Sequence, residues 1–132
     1  MVKSDRDHAL QLLAMAERDH TALSHMLNKD DFSEEVFGFH AQQAIEKALK
    51  AWISVLGRTY PKTHDLSLLV SLLAETGADL SSFPRLEDYT VFAVQYRYES
   101  YDTGDEPLDR SMVLKETATL IAAVRRVIGQ AA

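Results

Sequence analysis

The stretch FGFHAQQAIEKALKAWI, residues 37–53, has the pattern of a helix with a broad apolar side, from which the fold of this chain can be predicted. Placed on a helix at 100° per residue, its apolar side chains fall on one arc that covers roughly half of the circumference. One neighbouring helix cannot cover so wide an arc. We therefore predict a helix that lies at the centre of a bundle or is shared with a second subunit. The arc is formed by Phe37, Ala41, Ala44, Ile45, Ala48, Leu49, Trp52 and Ile53, with Leu56 after them.

The opposite arc of this helix is polar and holds His40, Gln43, Glu46, Lys47, Lys50 and Ser54. Glu46 and Lys50 are four residues apart in the order that favours an ion pair, which contributes only a few tenths of a kcal/mol. Gln42 falls on the apolar side instead, between Leu49 and Ile53, where a buried amide needs hydrogen-bond partners. Two alternatives follow: a bond to a neighbouring backbone at the edge of the core, or a polar groove at a subunit interface.

Four further segments carry apolar residues at spacings of three and four, which is typical of helices with one buried face. The chain is therefore predicted to be all-α. Connectors of five to ten residues favour an up-and-down bundle of four to five helices, in which residues 1–132 form a single domain. The expected helices span about 5–28, 34–56, 64–76, 84–98 and 108–128.

The sequence also predicts where helices begin and end. Asp31 or Ser33 can accept a backbone N–H bond at the start of the second helix, and Thr63 can do so for the third. Gly57 and Gly77 follow the last periodic residues of these two helices, where a left-handed residue commonly ends a helix.

The composition limits the kind of protein. No cysteine is present among the 132 residues, which excludes disulfides and thiolate zinc sites. The net charge of −6 repels phosphate at long range, so nucleic-acid binding would need a local basic patch. No apolar run approaches the roughly 20 residues of a membrane span, and the N-terminus is charged rather than signal-like. We expect a soluble, cytoplasmic protein without a membrane anchor.

Three segments occur in a characteristic order: AQQAIEKALKAWI at 41–53, KTHDLSLLV at 62–70 and QYRYESYD at 95–102, followed by a long C-terminal helix. In this combination the chain resembles the HEPN domain family, named for nucleotide binding in higher eukaryotes and prokaryotes, from about residue 7 to residue 128. The resemblance implies a helical bundle that is usually a homodimer. It also implies pairing with a small nucleotidyltransferase in a toxin–antitoxin system, and association with nucleotide or RNA without a cofactor.

Many members of that family are metal-independent RNases whose signature is an arginine followed, after four to six residues, by a histidine. Here the three permitted positions after Arg97 hold Asp102, Thr103 and Gly104. Cleavage through the 2′-hydroxyl needs a base that titrates near neutral pH and a cation for the phosphorane charge. Arg97 can supply the cation, and Asp102 is the candidate acid. The incomplete signature argues against an enzyme without excluding one.

The candidate nucleotide- or RNA-binding residues are Arg97, Tyr98, Tyr101, Lys47, Lys50 and His64. The tyrosines could stack on bases beside Arg97, or simply pack with their hydroxyls at the surface. The lysines could form a basic strip or a solvated face. His64 could serve the site or only position the start of the third helix. The resemblance also makes Tyr98 or Tyr101 a candidate acceptor of a nucleotidyl group.

Glu17 and His20 form the Glu-x-x-His pair used by di-iron bundles, but no second such pair occurs in the sequence, so no metal site is expected. Three hypotheses remain open. The first is a nucleotide- or RNA-associated dimeric partner that lacks the RNase histidine. The second is an RNase in which Arg97 works with a non-standard acid or base, Asp102 or His64. The third is a purely structural helical interaction module.

Overall fold

The computed structural model describes residues 5–93 and 108–131, and this part of the chain is helical without any strand. The predicted all-α bundle is confirmed. The α-helices are α1 (Asp5–Ser24), α2 (Glu34–Val55), α3 (Leu66–Glu75) and α4 (Arg110–Gln130), with a 3-10 helix at Leu86–Val91 between α3 and α4.

Helix α2 is the centre of the bundle. It packs against α1, α3, α4 and the 3-10 helix, which confirms the interpretation of its wide apolar arc. The side chains of Phe37, Ile45, Leu49 and Ile53 are buried, and Trp52 is nearly so. Whether a second subunit covers part of this helix stays a prediction.

The two glycine stops are confirmed. Gly57 and Gly77 have φ angles of 79° and 86°, in the left-handed region that favours glycine. At the end of α2 the amide of Arg58 donates to the carbonyl of Ile53, and at the end of α3 the amide of Ala78 donates to that of Leu73. Both ends therefore form the Schellman arrangement, which satisfies carbonyls that a helix end leaves open.

The helix starts agree with the sequence only in part. Ser33, the second of the two alternatives, caps α2 by accepting from the amide of Val36. The predicted cap of α3 is wrong, because Asp65 rather than Thr63 accepts the amide of Ser67. Thr63 instead accepts the amide of Asp65. His64 consequently lies in the connector between α2 and α3, ahead of the helix.

Helix α1 ends at Ser24, four residues before the predicted end, and Leu27 is exposed rather than buried. The chain leaves the helix through short turns, in which the amide of Met26 donates to the carbonyl of Leu23. Arg110 of α4 then binds the carbonyl of Met26. A side chain from a distant helix thus satisfies backbone groups that a continued helix would have used.

The start of the predicted fourth helix differs from the observed structure, in which a 3-10 turn comes first and residues 92 and 93 are α-helical. Residues from Leu86 form a 3-10 helix, and Leu86, Tyr89 and Phe92 are buried. The later part of the predicted helix lies outside the described residues. Helix α4 begins after its cap Asp109 and buries Val113, Leu120, Ile121, Val124 and Ile128, as its spacing predicts.

Candidate functional site

A buried carboxylate lies at the middle of the polar face of α2. Glu46 forms the predicted ion pair with Lys50, yet it is only 4% exposed although it lies on the polar arc of the helix. Its Oε2 accepts from Lys50 Nζ at 3.0 Å, and its Oε1 accepts from Gln42 Nε2 at 2.9 Å. His64 Nδ1 lies 2.8 Å from the same Oε1. Three donors from two elements thus converge on one carboxylate.

These contacts determine the protonation of Glu46. Burial alone would raise its pKa, but the hydrogen bonds from His64, Gln42 and Lys50, together with the charge of Lys50, outweigh burial and lower the pKa. The carboxylate is therefore ionised at neutral pH. It serves as a fixed negative charge that orients its partners.

Gln42 is fully buried and uses both ends of its amide. Its Nε2 donates to Glu46 and also to the backbone carbonyl of His64 at 3.1 Å, while its Oε1 accepts from Gln43 Nε2 at 2.7 Å. The backbone bond matches the first of the two alternatives for this residue. Gln42 thereby holds the α2–α3 connector against α2.

His64 is fixed by the protein on one side and open on the other. Its Nδ1 is within hydrogen-bond distance of Glu46, and its backbone carbonyl accepts a hydrogen bond from Gln42. Nevertheless, 64% of the side chain is exposed. Nε2 has no hydrogen-bond partner in residues 5–93 and 108–131. A carboxylate behind one ring nitrogen fixes the tautomer and leaves the other nitrogen to exchange a proton or bind a ligand.

The ring of Tyr60 lies between Lys50 and His8 of α1, next to the contacts of Glu46. Lys50 Nζ lies 5.3 Å from the centroid of the Tyr60 ring, which is a cation–π distance. The Tyr60 hydroxyl is 2.8 Å from His8 Nε2, and the two rings stack with centroids 6.0 Å apart. Burial and the charge of Glu46 raise the pKa of Tyr60, so its hydroxyl remains protonated at neutral pH.

A second carboxylate lies further along the same face. Asp19 of α1 pairs with Lys47 Nζ at 2.8 Å and lies 3.5 Å from His40 Nδ1. His40 Nδ1 is buried and lacks a hydrogen-bond partner in the part of the chain that the structure describes. Lys47 is therefore engaged with α1, whereas Lys50 and His64 meet at Glu46.

The remaining predicted site residues, Arg97, Tyr98, Tyr101 and Asp102, lie outside the described residues. Within the described residues, the candidate site consists of the polar face of α2, Asp19 of α1 and the connector that follows α2. Sequence reasoning missed Glu46 and Asp19 as its organising charges. One signal was available for Glu46, since Gln42, Glu46 and Lys50 recur every four residues and form a polar stripe along the helix.

Glu17 and His20, the Glu-x-x-His pair of the sequence, both contact residues of helix α4. Glu17 accepts from Arg125, and His20 Nε2 is 3.1 Å from the carbonyl of Leu114. Within the described ranges, no three histidine, aspartate or glutamate side chains are arranged to hold a metal ion.

The lowered pKa of Glu46 predicts how stability depends on pH. Its folded-state pKa lies below the ordinary value of 4.5, so its contribution is fully present above that pH and is lost as the pH falls through the lowered pKa. We expect Glu46→Gln to lower the free energy of unfolding at about pH 7, and the difference from wild type to shrink below about pH 4.5.

Urea unfolding across the acidic range measures this difference. Glu17→Gln is the matched control, because Glu17 belongs to an exposed pair with Arg125 and should change stability little at any pH. A Glu46→Gln deficit that stays constant with pH would contradict the assignment.

The protein is an all-helical domain in which the polar face of the central helix contacts two carboxylates, Glu46 of the same helix and Asp19 of α1. A comparison with protein families matches residues 9–129 to the HEPN domain. Because the match covers nearly the whole chain, the protein belongs to the HEPN domain family. The comparisons with curated proteins and with solved structures gave no match.

Membership supports a nucleotide- or RNA-associated role for this helical domain, in a family whose domains often dimerise. Among the described helices, none combines the length and apolar character needed to cross a bilayer.

Proposed function

We propose that this protein is a nucleotide- or RNA-associated HEPN domain that acts in the cytoplasm as a homodimer. Its partner is a small nucleotidyltransferase in a toxin–antitoxin-type pair. The match to the HEPN domain over residues 9–129 is the observation that carries the proposal. The usual RNase signature is incomplete, because the positions that follow Arg97 after four to six intervening residues hold Asp102, Thr103 and Gly104 instead of a histidine.

The polar face of α2 supports this role. Lys50, only 12% exposed at its side chain, and the more open His64 are held by Glu46 at one edge of the bundle. Arg58 and Lys62 are exposed in the connector that carries His64. These groups are the candidates for the local basic patch that an acidic chain needs to meet phosphate.

Binding and assembly can be tested separately. Light scattering on the purified chain should give twice the mass of 14.8 kDa. Fluorescence anisotropy with a labelled single-stranded RNA, competed by ATP, should show binding that weakens with salt. A monomer would remove the homodimer from the proposal. The absence of any RNA or nucleotide affinity would leave the structural interaction module as the function.

The partner is tested by co-expression with a nucleotidyltransferase encoded beside the gene. We expect the two proteins to purify together. Intact-mass spectrometry should then detect a nucleotidyl adduct that is lost in Tyr98→Phe or Tyr101→Phe. Separate elution and an unmodified mass would reject the transferase partner and leave the nucleic-acid role to the binding assay.

A second candidate, a metal-independent RNase, is favoured by the Glu46–His64 pair. A histidine backed by a buried carboxylate can accept the proton of a 2′-hydroxyl as that oxygen attacks phosphorus. The bond from phosphorus to the 5′-oxygen then breaks, and the 5′-oxygen takes a proton from an acid, for which Asp102 is the candidate. Arg97 would stabilise the phosphorane charge.

RNA incubated with the protein in a chelator distinguishes this candidate from simple binding. An RNase would release fragments with 2′,3′-cyclic phosphate ends, and His64→Asn should slow cleavage by about 100-fold or more. Arg97→Ala should slow it as well, while His25→Asn, at an exposed position in the α1–α2 connector, should leave it unchanged. If wild type and both site variants leave RNA equally intact, the RNase candidate is rejected.

A further inference from the structure

Two groups of charged residues, each with a lysine from α2, a carboxylate and a histidine, have a similar arrangement. The Glu46 unit consists of Glu46, Lys50 and His64, and the Asp19 unit consists of Asp19, Lys47 and His40. In each unit one oxygen of a carboxylate binds a lysine, and the other oxygen faces Nδ1 of a histidine.

The lysine contacts agree between the units, whereas the histidine forms a hydrogen bond to the carboxylate only in the Glu46 unit. The lysine nitrogens lie 3.0 and 2.8 Å from their carboxylate oxygens, and the histidine nitrogens lie 2.8 and 3.5 Å from the opposite oxygens. The histidine side chains are the more open members, 64% exposed for His64 and 32% for His40. Carboxylate and lysine are thus withdrawn into the bundle, with the imidazole nearest to solvent.

This arrangement fixes the charge that each unit presents. Lysine and carboxylate cancel, so a unit with a neutral imidazole has no net charge, and protonation of the imidazole leaves it with one positive charge. Imidazole is the side chain that ordinarily changes charge between about pH 5 and 8.

The two units lie along one strip of the protein. On a helix, His40, Lys47 and Lys50 fall within about 80° of arc and extend over roughly 15 Å of axis. At about 3.4 Å per nucleotide, this length matches roughly four nucleotides of a stacked single strand. Half-buried lysines on such a strip keep their positions better than freely rotating surface lysines.

We infer that this strip is a phosphate-binding surface whose affinity increases as His40 and His64 become protonated. The inference rests on the proposed nucleotide or RNA association and assigns it a location and a mechanism. The ligand groups are phosphates, supplied either by the backbone of single-stranded RNA or by a free nucleotide.

Other groups near the two histidines are consistent with this mechanism. Beside His64, the Asp65 carboxylate accepts hydrogen bonds from the amide and the hydroxyl of Ser67. The hydroxyl of Tyr60 is within hydrogen-bond distance of His8. Around His40, the facing charges are Asp19 from α1 and Lys47 on α2. The first amides of α3 are also occupied, since that of Leu66 donates to Thr90. Phosphate binding here therefore depends on side chains rather than on a helix N-terminus.

The test uses the full chain, a labelled single-stranded RNA octamer and labelled ATP, each titrated by anisotropy at about pH 5.5 and pH 8, across the range in which imidazole titrates. The variants are His40→Asn, His64→Asn and the double variant, because an asparagine amide can donate near the position of Nδ1 and stays neutral at both pH values. His25→Asn is the control at an exposed site, and circular dichroism verifies that each variant is folded.

Wild type should bind roughly 20-fold more tightly at the lower pH, with each histidine contributing roughly fivefold. The double variant should lose this dependence, while His25→Asn keeps it. A preference for the octamer over ATP identifies a nucleic-acid backbone as the phosphate source, and the reverse identifies a nucleotide.

Binding by wild type that does not depend on pH, or a pH dependence that survives in the double variant, would overturn the inference and leave the proposed function standing. No binding of either probe at either pH would overturn both.

Discussion

Replacing Gly38 with alanine should destabilise the protein by roughly 1 to 3 kcal/mol, although alanine favours helices more than glycine does. Gly38 lies inside α2, and a Cβ atom built there would fall far inside van der Waals distance of the Phe92 ring. Phe92 is itself buried, so the ring has little room to move. Urea unfolding followed by circular dichroism measures the loss.

Gly129→Ala is the matched control, because Gly129 is also helical but has no atom within 4 Å of the position of its Cβ. That change should stabilise the protein by up to about 1 kcal/mol. Phe92→Leu provides a second check, since a smaller side chain should reduce the cost of Gly38→Ala in the double variant. Stabilisation by both alanines would contradict the close approach of Phe92 to α2.

Replacing Arg110 with methionine should cost roughly 3 kcal/mol of unfolding free energy, because partly buried carbonyls would lose the donors of a buried side chain. The guanidinium donates to the carbonyls of Met26 and Phe32 at 2.8 and 2.7 Å and lies 5.0 Å from the centroid of the Phe37 ring. Methionine keeps the aliphatic bulk of the side chain and removes only the donors and the charge. Thermal and urea unfolding measure the change.

Arg125→Met on the same helix is the control, since Arg125 forms an exposed pair with Glu17 and should lose no more than about 1 kcal/mol. Arg110→Lys should restore little of the stability, because one ammonium cannot reproduce the geometry of the guanidinium fork. Equal losses at Arg110 and Arg125 would show that the buried contacts do not stabilise the connector between α1 and α2.

The helices could be predicted from sequence because their signals are local. Apolar residues at spacings of three and four indicate which face of α2 or α4 is buried, whatever that face contacts. Gly57 and Gly77 end their helices through a backbone conformation that depends on the absence of a Cβ atom at that position. The family resemblance likewise depends on segments whose order is visible in the chain.

The candidate site was only partly predictable. The sequence identifies His64 and Lys50 as candidate site residues, but it places Glu46, the charge that joins them, only on the polar arc of α2. Its position on the helix is polar by angle, and angle alone does not reveal that Tyr60 and the α2–α3 connector cover that side. Asp19 was missed for the same reason, because its partner Lys47 is 28 residues away in sequence.

The helical class, the central helix and the ends of α2 and α3 follow from the amino-acid sequence, because each depends on residues that are close together along the chain. Membership of the HEPN family also follows from the sequence, because it depends on the order of segments along the chain. Other features are visible only in the tertiary structure: which polar residues are buried, where α1 ends, and which carboxylate contacts each histidine. These features depend on contacts between distant elements, such as Arg110 with the carbonyl of Met26 and Glu46 with His64. In such contacts the cost of removing a polar group from water is offset only by a partner that folding brings into place.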